Sequence, residues 1–173
     1  ILKLKDSVSA DYEADASYSI TITAADSADN TVSKDYTITV TDVNEAATLV
    51  LGNTTISENS IGGSVGTITI TDPDIGSDNT LSISGTDKDS FELSGTILKL
   101  KDSVSADYEA DASYSITLTA TDSADNAVSK DYTITVTDVN ETPSALALSA
   151  STFAENAAGV TVGTLSATDP DSG

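Results

Sequence analysis

The residues whose types and spacing could do chemistry here are carboxylates. The chain of 173 residues holds 28 acidic and 7 basic side chains, a formal net charge of −21. The acids are grouped rather than spread. One set comprises Glu58, the pair Asp72 and Asp74, the pair Asp107 and Glu109, Asp122, and the run Asp138, Asn140, Glu141. Asp11 and Glu13, Asp26, and Asp42, Asn44, Glu45 repeat the later members of that set nearer the start of the chain. Glu155, Asp169 and Asp171 repeat the earlier members near its end. A highly charged surface aids solubility, but solubility does not require clustering. Carboxylates packed together repel one another unless a cation sits among them. Calcium suits such a set, because it takes about six to eight oxygens in flexible geometry, amide and backbone carbonyls included. Magnesium demands a tighter octahedron. Zinc is disfavoured because the chain has neither histidine nor cysteine.

The charge balance excludes other partners. The seven bases are all lysines, at positions 3, 5, 34, 88, 99, 101 and 130. Such a surface repels phosphates and anionic headgroups, so the reading is no nucleic acid and no direct membrane insertion. No apolar run approaches the roughly 20 residues that span a bilayer. Without cysteine there is no disulfide framework. Asp72-x-Asp74-x-Gly76-x-Asp78 opens like a self-contained calcium loop, but its twelfth position is Ile83, not an acid. A carboxylate pair could serve a glycosidase, yet no insertion that would form a cleft interrupts the repeat described next, and the expectation is no enzyme.

These acids are positioned by a repeat. Residues 1–45 and 97–141 differ only at Ile22/Leu118, Ala25/Thr121 and Thr31/Ala127, at an offset of 96. Residues 56–76 and 153–173 are a more diverged pair at an offset of 97. The expected domains are 1–45, the back part of one repeat; 46–141, a complete repeat; and 142–173, the front part of a third. The chain thus reads as a window cut out of phase from a longer array. Only the middle repeat can bury a full core, and the flanking pieces would need missing sequence or a neighbouring chain. Near-identical tandem copies fit a protein whose task depends on the number and length of its modules.

Within the unit, apolar residues alternate with Ser and Thr. Tyr114, Ile116, Leu118 and Ala120 share one face, as do Tyr132, Ile134 and Val136, and Ile68 and Ile70. Turn signals bound these runs: GG at 62–63, DPD at 72–74, GSDN at 76–79 and DSADN at 122–126. About seven short strands in some 96 residues predict an all-β antiparallel sandwich. The wet Thr/Ser faces are read as strand propensity rather than an ice-binding or sugar-binding array.

In this setting the acids resemble the signatures of cadherin repeats, and in particular of the bacterial cadherin-like repeats of large surface adhesins. Five signatures occur in the family's order. The glutamate motif is Ser57-Glu58-Asn59 and Ala154-Glu155-Asn156. It is followed by Asp72-Pro73-Asp74 and Asp169-Pro170-Asp171, by Asp11-Tyr12-Glu13 and Asp107-Tyr108-Glu109, and by Ala24-Ala25-Asp26 and Ala120-Thr121-Asp122. The linkers are Asp42-Val43-Asn44-Glu45 and Asp138-Val139-Asn140-Glu141. Phe91-Glu92-Leu93, Gly95 and Ile97–Leu100 match a further family run. The resemblance implies tandem seven-stranded Greek-key sandwiches with calcium at the junctions. It assigns Asp11, Glu13, Asp42, Asn44, Glu45, Asp72, Asp74 and Asp122 to the first junction. It assigns Glu58, Asp107, Glu109, Asp138, Asn140, Glu141, Asp169 and Asp171 to the second. Asp26 and Glu155 would serve junctions further along an array. Glu45 and Glu141 stand where animal cadherins have Asp, and Ala46 or Thr142 follows where they have Asn, which removes one side-chain ligand. The absence of tryptophan removes the anchor of strand-exchange adhesion. The implied role is an extracellular, calcium-stiffened extender in an adhesin or filament. Its partners are neighbouring repeats, with other copies in a fibre as a further class. The alternative is a carbohydrate-binding sandwich. Lys99 and Lys101 are placed for an isopeptide crosslink by position alone, and no such mass loss is expected.

Overall fold

The computed structural model describes residues 1–74, 78–156 and 158–171. The expected GSDN turn falls partly outside these residues, as does Gly76 of the calcium-loop reading. Twelve strands follow in order among the described residues. They are β1 (Ser17–Ala25), β2 (Thr31–Thr39), β3 (Thr48–Leu51), β4 (Thr55–Ser57), β5 (Ser64–Thr71) and β6 (Thr80–Ser84). Then come β7 (Phe91–Ser94), β8 (Ile97–Leu100), β9 (Ser113–Thr121), β10 (Ala127–Thr137), β11 (Ser144–Leu148) and β12 (Leu165–Thr168). A short 3-10 turn, Lys88–Ser90, is the one helical element among the described residues. The protein is therefore all-β, with a cadherin-like sandwich built on two four-stranded sheets, ordered β4-β10-β9-β6 and β3-β5-β8-β7. β1 pairs with β2 and β11 with β12, each as a two-stranded antiparallel ribbon.

Residues 46–141 contain eight strand segments among those described, where seven strands were expected, because the first strand breaks. Gly52 donates its N–H to the Thr67 carbonyl (2.9 Å). The Asn53 amide then donates to the Thr55 and Val65 carbonyls (2.9 and 2.7 Å). The chain leaves β3, paired with β5, and continues as β4, parallel to β10.

Period-two alternation places the core as the sequence predicts. Tyr114, Ile116, Leu118 and Ala120 are buried along β9, and Ile134 and Val136 along β10. Every buried hydrophobic residue among those described lies between Leu49 and Val136. β5 departs from simple alternation: Val65 and Ile68 are both buried although three positions apart. The β5–β8 register shifts between Ser64 and Gly66, and this bulge resets the phase. Phe91 meets Tyr114 edge to face at 5.4 Å between ring centres.

The residues gather into two compact units. One comprises Ile1–Val50, Ile70–Leu81 and Thr119–Ser129. The other comprises Leu51–Thr69, Ser82–Leu118 and Lys130–Gly173. Each contains one acidic cluster.

Candidate metal centres

The first cluster is assembled from three stretches of one unit. Glu13 sits in the turn before β1, Asp42 and Glu45 in the segment between β2 and β3, and Asp74 just after β5. Carboxylate oxygens of these four residues all lie within 4.8 Å of one another. The turn carrying Glu13 is held by Asp11, whose Oδ1 accepts the Ala14 N–H at 2.9 Å. Asp74 is tied to the linker by accepting the Glu45 N–H at 2.9 Å. Asp72 turns back on its own loop, accepting from the Asp74 N–H (3.1 Å) and the Asn79 amide (2.7 Å). Asp122 is buried, accepting the Ala124 and Asn126 N–H groups (2.8 and 2.9 Å) and the Asn44 amide (2.8 Å).

The second cluster repeats this plan. Glu58, Glu109, Asp138 and Asp171 bring carboxylate oxygens within 4.8 Å of one another. Asp107 Oδ1 accepts the Ala110 N–H at 2.9 Å, as Asp11 does for Ala14. Asp171 accepts the Glu141 N–H at 2.5 Å, as Asp74 does for Glu45. The Asn140 amide donates to the Glu141 carbonyl (2.9 Å), as Asn44 does to that of Glu45 (3.0 Å). Asp169 accepts the Asp171 N–H at 3.3 Å. Glu58 is buried, and its two oxygens accept the Tyr108 N–H (3.0 Å) and the Val139 N–H (2.5 Å). Eight of the sixteen predicted residues thus form the two carboxylate clusters. The other eight, Asp11, Asn44, Asp72, Asp122, Asp107, Asn140, Glu141 and Asp169, hold the surrounding loops or accept from them.

The electrostatics are those of crowded like charges. Desolvation, then Glu13, Asp74 and Asp42, raise the Glu45 carboxyl above its ordinary value. Glu109 is raised mainly by desolvation, against a lowering contact with its own backbone, with Glu58, Glu141 and Asp138 adding to the rise. The Asn59 amide bonds Glu141 and lowers it, but desolvation with Glu58 and Asp171 leaves it raised. For Asp122, desolvation is the largest influence and raises it, yet the bonds from Asn126, Asn44 and Ala124 together leave it lowered. Two buried oxygens beside the second cluster, Glu141 Oε2 and Asp171 Oδ1, have no hydrogen-bond donor. An all-oxygen donor set with orphaned buried acceptors fits a hard divalent cation such as calcium.

Three asparagines outside the predicted ligand sets complete the loops. Asn59 bonds Glu141, Asn79 bonds Asp72, and Asn126 bonds Asp122 (3.1 Å). Asn59 and its repeat partner Asn156 share a left-handed backbone (φ 60° and 61°), which asparagine tolerates better than most residues. The repeated Glu-Asn motif at 58–59 and 155–156 was the available signal for Asn59. Lys99 lies 2.6 Å from Asp102 and 2.9 Å from Glu92, and these contacts, Asp102 first, raise its pKa. An amine held charged is a poor nucleophile, which weighs against an isopeptide crosslink at this position.

No protein-family model matches the chain, and no curated protein matches it. Solved structures do. Extracellular cadherin domains 1–4 of protocadherin gamma B7 are 25% identical with a TM-score of 0.69, covering 95% of this chain and 43% of that one. The EC3–6 cis-dimer structure of protocadherin gamma B7 is 25% identical with a TM-score of 0.64, covering 96% and 42%. Human CDH23 EC21–23 is 22% identical with a TM-score of 0.69, covering 94% and 57%. The chain spans less than half the length of the two protocadherin chains. What these likenesses establish is a cadherin-like sandwich.

Proposed function

We propose that this chain is a calcium-stiffened structural repeat of an extracellular adhesin or filament, of the bacterial cadherin-like kind, and has no catalytic role. The observation that carries the reading is the pair of four-carboxylate clusters with matching loop geometry. The proposed repeats are 1–45, 46–141 and 142–173. Glu13, Asp42, Glu45 and Asp74 would hold calcium at the first junction, and Glu58, Glu109, Asp138 and Asp171 at the second. Asp11, Asn44, Asp72, Asp122, Asp107, Asn140, Glu141 and Asp169 would complete or support the two ligand sets. Bound calcium supplies the positive charge that cancels the repulsion within each cluster. The chain's own residues do the mechanical work: Glu45 and Glu141 link, through Asp74 and Asp171, the linker to the loop after it. Oxygens from different loops then share one centre, and a hinge becomes a strut. Extracellular calcium modules bind at about 10⁻⁴–10⁻³ M, so the segment stiffens outside a cell and slackens in calcium-poor fluid.

Calcium titration of the chain tests this by melting and small-angle scattering. The expected result is a higher Tm and a larger, narrower distribution of dimensions, saturating in the sub-millimolar to millimolar range. Unchanged Tm and dimensions throughout that range would overturn the reading.

A further inference from the structure

The linker between β2 and β3 carries two kinds of polar residue, and the structure uses them differently. Asp42 and Glu45 bring their carboxylates into the first cluster. Asn44, between them, reaches across 78 positions of sequence: its amide nitrogen donates to Asp122 Oδ2 at 2.8 Å and to the Glu45 carbonyl at 3.0 Å. One residue on, the Glu45 N–H donates to Asp74 Oδ2 at 2.9 Å. On the other side, the Val40 N–H bonds the Ala16 carbonyl at 2.9 Å. Between these anchorages lie Thr41, Asp42 and Val43, which belong to no strand and are exposed, Val43 at 71%.

Asp122 is built to receive the Asn44 amide. It is only 7% exposed. Its Oδ1 accepts the Ala124 and Asn126 N–H groups, and its Oδ2 accepts the Asn126 amide as well as that of Asn44. A carboxylate offers about four lone-pair sites, and these donors occupy them. Asp122 is accordingly not one of the four carboxylates that converge in the first cluster. The loop holds its shape by its own bonds. In the near-identical copy, Asp26 Oδ1 accepts the Ala28 and Asn30 N–H groups (2.8 and 3.0 Å), and its Oδ2 accepts the Asn30 amide (2.9 Å). Asp29 and Asp125 share a left-handed backbone there, φ 63° and 64°. The loop after β9 is thus a preformed acceptor, and an amide bonded to an ionised carboxylate is held more strongly than a neutral pair.

We propose that Asn44 and Asp122 form a clasp that fastens the linker to the loop after β9 without calcium, confining the hinge of the first junction to residues 41–43. The two side chains are positioning residues rather than ligands. They set Glu45 beside Asp74 in advance, so that an ion has only Asp42 and the Glu13 turn left to capture. That calcium stiffens 41–43 rests on the calcium reading; the clasp does not.

The test is backbone ¹⁵N relaxation of the 173-residue chain, in chelator and in millimolar calcium. The parent is compared with Asn44→Ala, which removes the donor, and Asp122→Asn, which sets an amide against the amides of Asn44 and Asn126. Asp26→Asn, in the twin loop away from the clasp, is the control. Signals of β9 and β10 in the same spectra report that each variant is folded. In chelator the parent should show order parameters near the rigid value of about 0.85 at 44–47 and below about 0.6 at 41–43. In both clasp variants 44–47 should become as mobile as 41–43, while Asp26→Asn leaves them rigid. A parent whose residues 44–47 already move like 41–43 in chelator overturns the proposal. So does Asn44→Ala protein in which 44–47 stay rigid, and a weakened calcium site in that variant would then make Asn44 a ligand. If 41–43 gain no order in millimolar calcium, the calcium reading falls, and the comparison in chelator still decides the clasp.

Discussion

Ile22 and Leu118 hold the same place in two stretches of almost one sequence, and their surroundings alone separate them. Leu118→Ala in a filled core is expected to cost about 2–5 kcal/mol, whereas Ile22→Ala is expected to stay within about 0.5 kcal/mol in dilute monomer. Urea denaturation of both variants measures the contrast. Glu58 is the residue where burial and the acidic cluster coincide. Glu58→Gln keeps an acceptor for the Tyr108 or Val139 N–H but removes the charge. The expected outcome is at least a tenfold weaker second site and an unchanged first site, read by isothermal calorimetry; Asp42→Asn should give the opposite pattern. The sequence disclosed which residues carry acid and in what order. It did not disclose the division of labour, because Asp107 and Asp138 look alike as letters. One accepts a backbone N–H in a turn, while the other faces three carboxylates.

Among the elements, alternation made β9 and β10 legible residue by residue. The break between β3 and β4 and the bulge in β5 were not legible. Both depend on hydrogen bonds from Gly52 and Asn53 to residues more than ten positions away, and no local period encodes those. Gly85 marks another non-local constraint. Its φ is +103°, and an added Cβ would lie 2.9 Å from Ile116 Cα and 3.0 Å from the Ser115 carbonyl oxygen. Gly85→Ala is therefore expected to destabilise the sandwich by more than about 1 kcal/mol, seen as a lower midpoint in thermal unfolding. Gly95 also has positive φ, but nothing stands within 4 Å of its would-be Cβ, so Gly95→Ala incurs only the backbone strain.

At the scale of the whole molecule, acid should act in opposite directions with and without calcium. Glu45, Glu109 and Glu141 have raised carboxyl pKa values in the folded chain. Their contribution to folding is fully present below the unfolded value and is lost as pH rises through the raised folded value. Through these three carboxyls calcium-free protein should gain stability as pH falls from neutral, before the lowered carboxyls of Asp26, Asp89 and Asp122, which act in the opposite direction, begin to titrate. Calcium-loaded protein should lose stability over the same interval, because protons compete for the ligand oxygens. Melting curves in chelator and in millimolar calcium, taken at matched pH, check the crossing. Near-duplication has a further consequence, for the order of events during folding. Two almost interchangeable segments compete for one set of front strands. The winner, 97–141, follows β7 through a tight turn, so its loop closes at little entropic cost. The loser, 1–45, precedes those strands in the chain and would complete the same sandwich in circularly permuted order. During synthesis the permuted partner emerges first. Near-identity thus opens a mispairing route in which 1–45 takes the place of 97–141 against the front strands of 46–141, the kind of misassembly to which repeat proteins are prone.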